Sequence, residues 1–350
     1  MNTGHPSNQG AWPHFKLRQT PTAQSDFFEE GGRRVSRQTI GGDAGDIAIS
    51  FLTVVKNRLS TIERTISSVL TQPSARVEHI IVDGMSTDGT LELIRSHAKD
   101  IEYFVSRADK NLYQAINSGI ELCRGRYICI LNSDDWLTRG SISKVIQDID
   151  RIPKLSPAPI LCYGAWKYSG IGKSKLWQPQ EPRLGDYFHC SDLCHNAMYI
   201  PRSSYVSVGP YDDSYQIAAD SKWIMSAVEH SHKFMTNPFP TCYYSMNGIS
   251  SNGHSHWQEC RRLISERFPS LSAIETEGLL NRFYAFKRNI PENSSPSISD
   301  ESLAEISDRH QIGIFIDSAR QSRPKQINRT KNISLKVKKI IWRIKHAHAK

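Results

Sequence analysis

The sequence predicts an α/β fold in which a mostly parallel sheet is flanked by helices. Between residues 47 and 131, short apolar segments rich in β-branched residues alternate with segments of helical periodicity, which is typical of right-handed βαβ units. Three of the four strand candidates run into polar segments that carry carboxylates. The chain of 350 residues is 38% hydrophobic and 23% charged, and its longest apolar runs fall short of the ~18–20 residues that span a bilayer.

The first half of the chain supplies four strand candidates and three helix candidates in alternation. The strands are expected at 47–55, 77–82, 101–106 and 127–131, and the helices at 60–70, 90–97 and 113–122. The spacing of Ser60 and Glu63 matches a capping box, which predicts the start of the first helix, and Pro73 lies just beyond its end. The second half is less regular, with strands expected at 160–166, 197–200 and 241–246 and helices at 219–229 and 256–267.

Composition divides the chain into one domain with an extension at each end. Residues 1–44 are rich in Gly, Gln, Ser, Pro and Thr without a sustained period, so we expect them to be disordered or loosely attached. A single domain is expected at 45–285. Residues 286–330 are expected to form a linker, because 291–299 alone contain four Ser, two Pro and an Asn.

The basic charge is concentrated in the C-terminal extension. The formal net charge is +9, yet residues 318–350 hold 11 Lys or Arg and no Asp or Glu, so residues 1–317 carry a net charge of −2. The body is therefore not expected to bind nucleic acid. The pattern of 331–350 predicts a basic amphipathic helix whose Ile and Val side chains share one face. We expect residues 333–348 to contact an anionic membrane surface; packing of the apolar face on the body is the alternative.

Segments with polar side chains follow all four strand candidates, and in a parallel sheet such segments meet at one edge. They are residues 53–57, 83–88, 107–111 and 132–135. Asp134 and Asp135 follow an apolar strand, where two adjacent carboxylates are costly unless a cation offsets their charge, and Mg²⁺ or Mn²⁺ suits such oxygen ligands. The alternative is a solvated turn, or an N-cap of the helix expected after residue 140.

The turn from Asp83 to Gly89 offers a second candidate ligand site. A carboxylate at Asp83 can accept a hydrogen bond from a nucleobase N–H, and the glycines at its two ends let the backbone approach a ligand closely. The alternative is an Asx-turn in which Asp88 caps the next helix. The turn contains neither a Gly-Lys-Ser/Thr phosphate loop nor a Gly-x-Gly-x-x-Gly dinucleotide fingerprint.

Five motifs occur together, in one order, within the stretch 47–137. They are Thr53-Val-Val-Lys-Asn57, Ser68-Val-Leu-Thr-Gln72, Ile81-Val-Asp-Gly-Met-Ser-Thr-Asp-Gly-Thr90, Asp109-Lys-Asn-Leu-Tyr-Gln-Ala-Ile-Asn-Ser-Gly119 and Leu131-Asn-Ser-Asp-Asp-Trp136. This stretch resembles family 2 glycosyltransferases of the GT-A fold, and above all the bacterial exopolysaccharide, colanic-acid and O-antigen transferases. Looser matches in the second half are Cys194-His195-Asn-Ala-Met198, Gly209-Pro-Tyr-Asp212, Ala218-Ala-Asp-Ser-Lys-Trp223 and Asn247-Gly-Ile-Ser-Ser251. The resemblance implies a single catalytic domain with a Rossmann-like, mostly parallel sheet at 45–285.

The resemblance also implies roles for individual positions. The positions implied to bind the donor nucleotide are Thr53, Asn57, Asp83, Asp109, Lys110, Asn117 and Asp134, with Arg126 nearby. Asp135 falls at the position that binds Mg²⁺ or Mn²⁺, Asp220 at that of the catalytic base, and His195 and Ser250 near the acceptor or the diphosphate. A helix N-terminal charge remains the alternative for Asp220, and a hydrogen-bonded core histidine the alternative for His195. Asn111 and Gln114 replace the usual Gly and Asp of the family, which leaves the donor sugar open.

The implied reaction is an inverting, metal-dependent transfer of a sugar from a nucleoside diphosphate, with UDP the expected nucleotide. The acceptor would be a saccharide or a polyprenyl-linked glycan in cell-surface polysaccharide synthesis. Two alternatives stay open: a sugar nucleotidyltransferase, which is expected to carry a Gly-rich loop where 53–57 have no Gly, and an inactive nucleotide-sugar-binding or membrane-scaffold protein. The N-terminus has no apolar run of signal-peptide length, so we expect a cytoplasmic protein, and the basic tail adds the expectation of a peripheral location at the inner face of the cytoplasmic membrane.

Overall fold

The structure is a computed structural model, and it describes residues 27–40, 46–152, 158–170, 174–182, 193–246, 248 and 253–287. Within these ranges ten strands join in one sheet, accompanied by nine α-helices. No helix in the described ranges is both long enough and apolar enough to cross a membrane. The predicted linker and basic helix, apart from residues 286–287, lie outside the described residues.

Strands and helices alternate through the first half of the chain, as the sequence pattern predicted. The strands are β1 (Phe27–Gly31), β2 (Ile49–Val55), β3 (Val77–Asp83), β4 (Tyr103–Arg107), β5 (Tyr127–Ile130), β6 (Trp136–Leu137), β7 (Ile160–Tyr168), β8 (Lys175–Trp177), β9 (Met198–Pro201) and β10 (Phe234–Ser245). The helices are α1 (Arg33–Ile40), α2 (Leu59–Leu70), α3 (Thr90–Ser96), α4 (Leu112–Leu122), α5 (Ser141–Arg151), α6 (Arg202–Val208), α7 (Ala219–Glu229), α8 (Gly253–Arg267) and α9 (Ala273–Lys287). A 3-10 turn, His195–Ala197, precedes β9.

The centre of the sheet is a parallel block of four strands in the order β4–β3–β2–β5. Every residue of β2 is buried, which is typical of a parallel strand covered on both faces. On one face Leu52 belongs to a core cluster that includes Ile116 of α4, and on the other Val55 belongs to a cluster that includes Ile66 of α2. The predicted α/β fold with a mostly parallel central sheet is confirmed.

Beyond β5 the sheet is mixed, with antiparallel and parallel neighbours. β9 pairs with β5 and with β7, β10 runs parallel to β7, and the short β6 pairs with β10 at the far edge. β10 begins at Phe234, well before the strand expected at 241–246, and its register shifts between Asn237 and Pro240. Pro238 and Pro240 lie at this irregularity, and because proline is unusual inside a strand, the sequence pattern did not predict the first part of β10. The pairing of Tyr243 with Trp136 brings the end of β10 beside the acidic segment that precedes β6.

The first turn of α2 is capped from the turn that follows β3. The helix begins at Leu59 without a side-chain cap of its own, so the capping box predicted from Ser60 and Glu63 is wrong. Asp88 Oδ2 instead accepts a hydrogen bond from Leu59 N–H at 3.1 Å, while its Oδ1 accepts one from Thr90 N–H at 3.0 Å. A carboxylate suits this place because the first amides of a helix lack intrahelical partners and carry partial positive charge. Asp88 thus connects the starts of two helices.

Residues 27–40 belong to the domain, which corrects the prediction that the whole of 1–44 is disordered or loosely attached. β1 pairs antiparallel with β4 at the sheet edge. Arg34 of α1 is buried, its Nη2 donates to Glu78 Oε2 at 3.0 Å, and its Nη1 donates to Leu122 O at 2.8 Å. The ion pair between Arg34 and the buried Glu78 therefore anchors this segment to β3, and detaching the segment would leave that carboxylate buried without its cation.

Replacing Arg34 with Ala is expected to lower the free energy of unfolding by about 3–5 kcal/mol, because the buried Glu78 loses its ion-pair partner. Arg33→Ala is the matched control. Arg33 reaches Glu102 at 3.5 Å, but its side chain is 48% exposed, so the expected loss is about 0–1 kcal/mol. Urea unfolding of both variants measures the difference, and equal losses would contradict this account of the N-terminal segment.

Candidate active site

The segment after β2 and the turn after β3 form one hydrogen-bonded unit at the carboxyl edge of the sheet. Gly84 N–H donates to Val55 O at 2.8 Å, and Asn57 N–H donates to Ser86 Oγ at 2.8 Å. Asn57 Oδ1 in turn accepts from Thr87 N–H at 2.9 Å. Asn57 was predicted to bind the donor, and the structure uses its side chain to hold the turn. Its φ of 52° lies in the left-handed region, which Asn tolerates better than most residues.

Asp83, at the end of β3, has no exposed surface, and its two carboxylate oxygens differ in their hydrogen bonds. Its Oδ2 accepts hydrogen bonds from Ser86 N–H at 3.0 Å and from Ser106 Oγ at 2.6 Å. Its Oδ1 is buried and has no hydrogen-bond partner among the described residues. Since buried polar atoms are normally satisfied, this oxygen is a candidate contact for a ligand N–H.

Thr53 lies in β2 and its hydroxyl faces the core. Thr53 Oγ1 is buried and forms a hydrogen bond with His79 Nε2 at 2.9 Å. Burial lowers the pKa of His79 to about 3, so the imidazole is neutral at pH 7. The hydroxyl of Thr53 is therefore occupied inside the sheet. Any contact of this residue with a nucleobase has to come from its main chain.

Asp109 and Lys110 lie in the loop after β4. Asp109 Oδ1 is 3.4 Å from Arg107 Nε, whereas its Oδ2 is buried without a hydrogen-bond partner in the described part of the chain. Burial raises the pKa of Asp109, and the charges of Arg107 and Lys56 oppose that effect. Lys110 is exposed, with its Nζ 3.8 Å from Asp213 Oδ1. This loop presents a second buried acceptor oxygen and an exposed positive charge.

Asp134 and Asp135 lie between β5 and β6. Asp135 is 1% exposed, and its two carboxylate oxygens accept hydrogen bonds from Asn196 Nδ2 and Ser245 N–H, each at 2.6 Å. Asp134 is half-buried. The pair does not cap α5, because that helix begins after Gly140 and has no side-chain cap. The helix-cap alternative for these two carboxylates is therefore excluded.

The acidic pair carries more charge than its surroundings neutralise. Burial raises the pKa of Asp135 well above its usual range, and the charge of Asp134 raises it further. Burial also raises the pKa of Asp134, opposed by the more distant charges of Arg58 and Arg64. In the part of the chain that the structure describes, no Lys or Arg forms an ion pair with either carboxylate.

A divalent cation fits this pair. The described residues contain no cluster of three His, Cys, Asp or Glu side chains that could hold a metal ion by itself. Mg²⁺ and Mn²⁺, however, usually take one or two carboxylates together with substrate phosphates and water. Asn196 Nδ2 and Ser245 N–H each donate to one oxygen of Asp135, and because a carboxylate has about four acceptor sites, it keeps capacity for an ion. The uncompensated charge and the hard oxygen donors suit an ion shared with a phosphate-bearing ligand.

The acidic pair is supported by α2 through residues that the sequence analysis missed. Thr65 Oγ1 lies 3.0 Å from Ser133 O and 2.7 Å from Asp135 O. The guanidinium of Arg64 lies 3.6 Å from the ring centroid of Trp136, and Tyr243 stacks against the same ring at 4.9 Å and 9°. Helical periodicity marks the apolar face of α2 but gives no signal for these polar contacts.

Asp220 lies in the first turn of α7, where the sequence pattern placed it, and is half-buried. Its Oδ1 accepts a hydrogen bond from Ser221 N–H at 2.7 Å. His195 Nε2 shares a hydrogen bond of 2.8 Å with Tyr211 Oη. Burial lowers the pKa of His195 while the negative charge of Asp220 opposes this shift, so the imidazole is neutral at pH 7. Asp220, His195 and Tyr211 thus belong to one polar cluster.

Comparison with known proteins agrees with this geometry. Residues 50–205 match the family model described as Glycosyl transferase family 2. The chain carries a family 2 glycosyltransferase domain. The family that the sequence motifs predicted is confirmed, and the protein is a glycosyltransferase. The relatives described below are named as glycosyltransferases, which favours this class over the sugar nucleotidyltransferase alternative.

Relatives extend the similarity beyond the matched segment of the glycosyltransferase. An uncharacterized glycosyltransferase of Mycobacterium tuberculosis is 25% identical over 253 residues, which cover 70% of this chain and 95% of that protein. The putative teichuronic acid biosynthesis glycosyltransferase TuaG of Bacillus subtilis is 34% identical over 102 residues, which cover 28% of this chain and 40% of that protein. S. aureus TarS in complex with UDP-GlcNAc has a TM-score of 0.52 at 14% identity over 69% of this chain and 73% of that chain, which shows a shared fold.

Three further residues of the glycosyltransferase were predicted to lie at or near the site, namely Asn117, Arg126 and Ser250. Asn117 Nδ2 donates to Tyr211 O and its Oδ1 accepts from Tyr211 N–H, both at 2.8 Å, so the side chain holds Tyr211 and a contact with the sugar donor would use its second amide hydrogen or second lone pair. Arg126, expected near the donor pocket, precedes β5 at the opposite edge of the sheet and pairs with Asp150 at 2.9 Å, which corrects that expectation. Ser250 lies outside the described residues.

The difference in unfolding free energy between wild type and Asp135→Asn is expected to depend on pH. Because the pKa of Asp135 is raised in the folded state, that state keeps a proton which the unfolded chain releases above about pH 4, and stability falls as the pH rises. Asp135→Asn removes this titration, so the stability of the variant relative to wild type is expected to rise with pH, on top of a constant loss from the hydrogen bond that is broken where an NH₂ replaces an accepting oxygen. Urea unfolding of both proteins from about pH 4 to pH 7, with EDTA present to remove divalent cations, measures the difference.

Asp150→Asn is the matched control for this experiment. Hydrogen bonding to Arg76 lowers the pKa of Asp150, so its contribution to stability is lost as the pH falls, which is the opposite sign. If the stability of Asp135→Asn relative to wild type does not change with pH, the account of a buried, uncompensated carboxylate is wrong.

Proposed function

We propose that the protein is an inverting, metal-dependent glycosyltransferase. It would move a sugar from a nucleoside diphosphate, with UDP the expected nucleotide, to a saccharide or lipid-linked acceptor in cell-surface polysaccharide synthesis. The observation that carries the proposal is the meeting, at one sheet edge, of the free buried oxygen of Asp83 with the uncompensated pair Asp134 and Asp135. An N–H group of a nucleobase is complementary to the oxygen of Asp83. A cation bound to a diphosphate is complementary to the acidic pair.

The free oxygen of Asp83 supports a uridine donor. The N3–H of uracil is a hydrogen-bond donor, and Asp83 Oδ1 is a buried acceptor without a described partner. Asp109 Oδ2 offers a second acceptor in the adjoining loop, and the charge of Lys110 can meet a phosphate. S. aureus TarS, which shares the fold, was solved with UDP-GlcNAc and with UDP, and we extend this donor class to the present chain.

Asp135 and Asp134 would hold the divalent cation through their remaining oxygen lone pairs. When bound, such an ion supplies positive charge that stabilises a departing diphosphate. Asn196 Nδ2 and Ser245 N–H orient the Asp135 carboxylate from two sides. Thr65 holds the main chain of the same residue, so the acidic pair is oriented before any ligand arrives.

Asp220 is the proposed base of a single displacement. It takes the proton of the acceptor hydroxyl as that oxygen attacks the anomeric carbon, the bond to the nucleoside diphosphate breaks, and the configuration inverts. Neutral His195 is held by Tyr211 through Nε2, and its other ring nitrogen is the proposed contact for the diphosphate or the acceptor. Ser250 stays a predicted contact of the same kind. Relatives named for teichuronic acid and for PGL/p-HBAD biosynthesis support an acceptor in surface glycan or glycolipid synthesis.

UDP is expected to bind the wild type more tightly when Mn²⁺ is present. Asp83→Asn is expected to weaken UDP binding about 10-fold or more, because a charge-assisted hydrogen bond of roughly 1.5–3 kcal/mol is lost. Asp135→Asn is expected to abolish the Mn²⁺ effect while metal-free UDP binding persists. Calorimetry of each variant measures both, with Asp100→Asn on the exposed surface as the control. A folded wild type that binds no UDP, or an undiminished Mn²⁺ effect in Asp135→Asn, would sink the donor-site assignment.

Asp220→Asn is expected to lower kcat by about 10²–10⁴-fold, the usual worth of a general base, with UDP affinity changed less than about threefold. Release of UDP from a UDP-sugar, measured with a panel of saccharide acceptors, provides the readout. An unchanged kcat would remove Asp220 from the mechanism. A wild type that binds UDP but never releases it from a sugar nucleotide would favour the inactive binding protein.

Residues 333–348 are included in the proposal on the sequence pattern alone, since they lie outside the described residues. A basic amphipathic helix is attracted to anionic headgroups and buries its apolar face at their boundary. The full chain is expected to sediment with vesicles that contain anionic phospholipid at low salt, and removal of residues 331–350 is expected to abolish this. Equal sedimentation of both chains would contradict the membrane contact.

A further inference from the structure

A carboxylate of α8 holds the segment that leads into α7. The N–H groups of Gln216, Ile217 and Ala218 all donate to Glu259, the first to Oε1 at 2.7 Å and the other two to Oε2 at 2.8 Å. Hydrogen bonds to a carboxylate are short and roughly twice as strong as neutral ones. One side chain thus satisfies three consecutive amides directly before the turn that carries Asp220.

The sequence of α7 supplies no cap of its own. Its N-cap residue, Ala218, makes no side-chain hydrogen bond. Residues 216–219 contain no Ser, Thr, Asp or Asn, the residue types that usually accept bonds from the first amides of a helix. A negative charge at this end also interacts favourably with the helix dipole. Glu259 therefore supplies the cap from another helix.

The other side of the segment is held by α4 and the residue before it. Tyr113 Oη donates to Ile217 O at 2.6 Å, and Asn111 Nδ2 donates to Asp213 O at 2.6 Å. Ile217 is consequently bonded through its carbonyl to α4 and through its N–H to Glu259. Because a peptide group is planar, these contacts on both sides of Ile217 restrict how the chain enters α7.

We propose that Glu259 is a positioning residue that sets the direction of the Asp220 carboxylate. The proposal rests on the proposed role of Asp220 as the base. Asp220 lies in the first turn of α7, so a rotation of the peptides at 216–218 turns its side chain together with the start of the helix. A displacement of about 1 Å at a reacting group costs on the order of 100-fold in rate. Glu259 lies beyond the segment 50–205 that matches the family, so the family match does not reach it.

Glu259→Ala is expected to lower kcat about 100-fold, while the donor KM and the UDP affinity change less than about threefold. Glu259→Gln keeps the side-chain shape and one acceptor oxygen, and is expected to recover part of the loss, to about 10-fold. Glu277→Ala is the matched control, because Glu277 of α9 pairs with Arg261 of α8 at 3.2 Å. An equal loss of kcat in Glu277→Ala would mean a general effect of the helix pair and would overturn the proposal.

Amide hydrogen exchange tests the contact without relying on activity. In Glu259→Ala the amides of residues 216–218 are expected to exchange faster, with protection in the parallel strands of the sheet unchanged. Unchanged protection at 216–218 overturns the proposal. Loss of protection throughout the domain indicates unfolding, and Glu259→Gln then provides the comparison.

Asp220→Asn separates this proposal from the assignment of the base. If Glu259 acts through Asp220, the double variant Asp220→Asn, Glu259→Ala is expected to be as slow as Asp220→Asn alone, within about threefold. Losses that multiply in the double variant overturn the positioning role. A wild-type kcat in Asp220→Asn overturns the base instead, while the exchange measurement still reports whether Glu259 holds the segment.

Discussion

The burial of the Asp135 carboxylate is the constraint on which the candidate site depends. A carboxylate removed from water requires hydrogen-bond donors or a cation. The donors come from distant parts of the chain: Asn196 in the turn before β9 and the N–H of Ser245 at the end of β10. Thr65 of α2 also donates to the main-chain oxygen of the same residue. Satisfying one residue thus joins α2, β9 and β10 to the loop between β5 and β6.

The same loop retains negative charge that the described protein residues do not neutralise. The pKa values of Asp134 and Asp135 are both raised by burial, so the pair costs stability at neutral pH when it is ionised. A cation that binds the folded state alone stabilises it by mass action. The stability of the domain and the proposed donor complex are therefore coupled through these two side chains. Such local conflicts between stability and charge are typical of functional sites.

Two helices at the carboxyl edge of the sheet are capped at their N-termini by carboxylates from other elements. Asp88, from the turn after β3, caps α2, and Glu259, from α8, caps the segment before α7. The local sequence pattern predicted a different cap, at Ser60, for the first of these helices. In both cases the start of a helix takes its position from a tertiary contact, so the loops of the site are positioned together with the helices packed around them.

The alternation of strands and helices over residues 47–131 was predictable because each element is marked by a local period and parallel strands end at one edge. The direction of Thr53 was not, since a strand buried on both faces shows no alternation of polar and apolar residues. Nor was the attachment of the N-terminal segment, which depends on Arg34 meeting Glu78, 44 positions away. The sequence by itself determined the four parallel strands at the centre of the sheet and which acidic residues follow them. Only the tertiary structure decided which of their oxygens are free for a ligand, because partners such as that of Asp135 lie up to 110 positions distant.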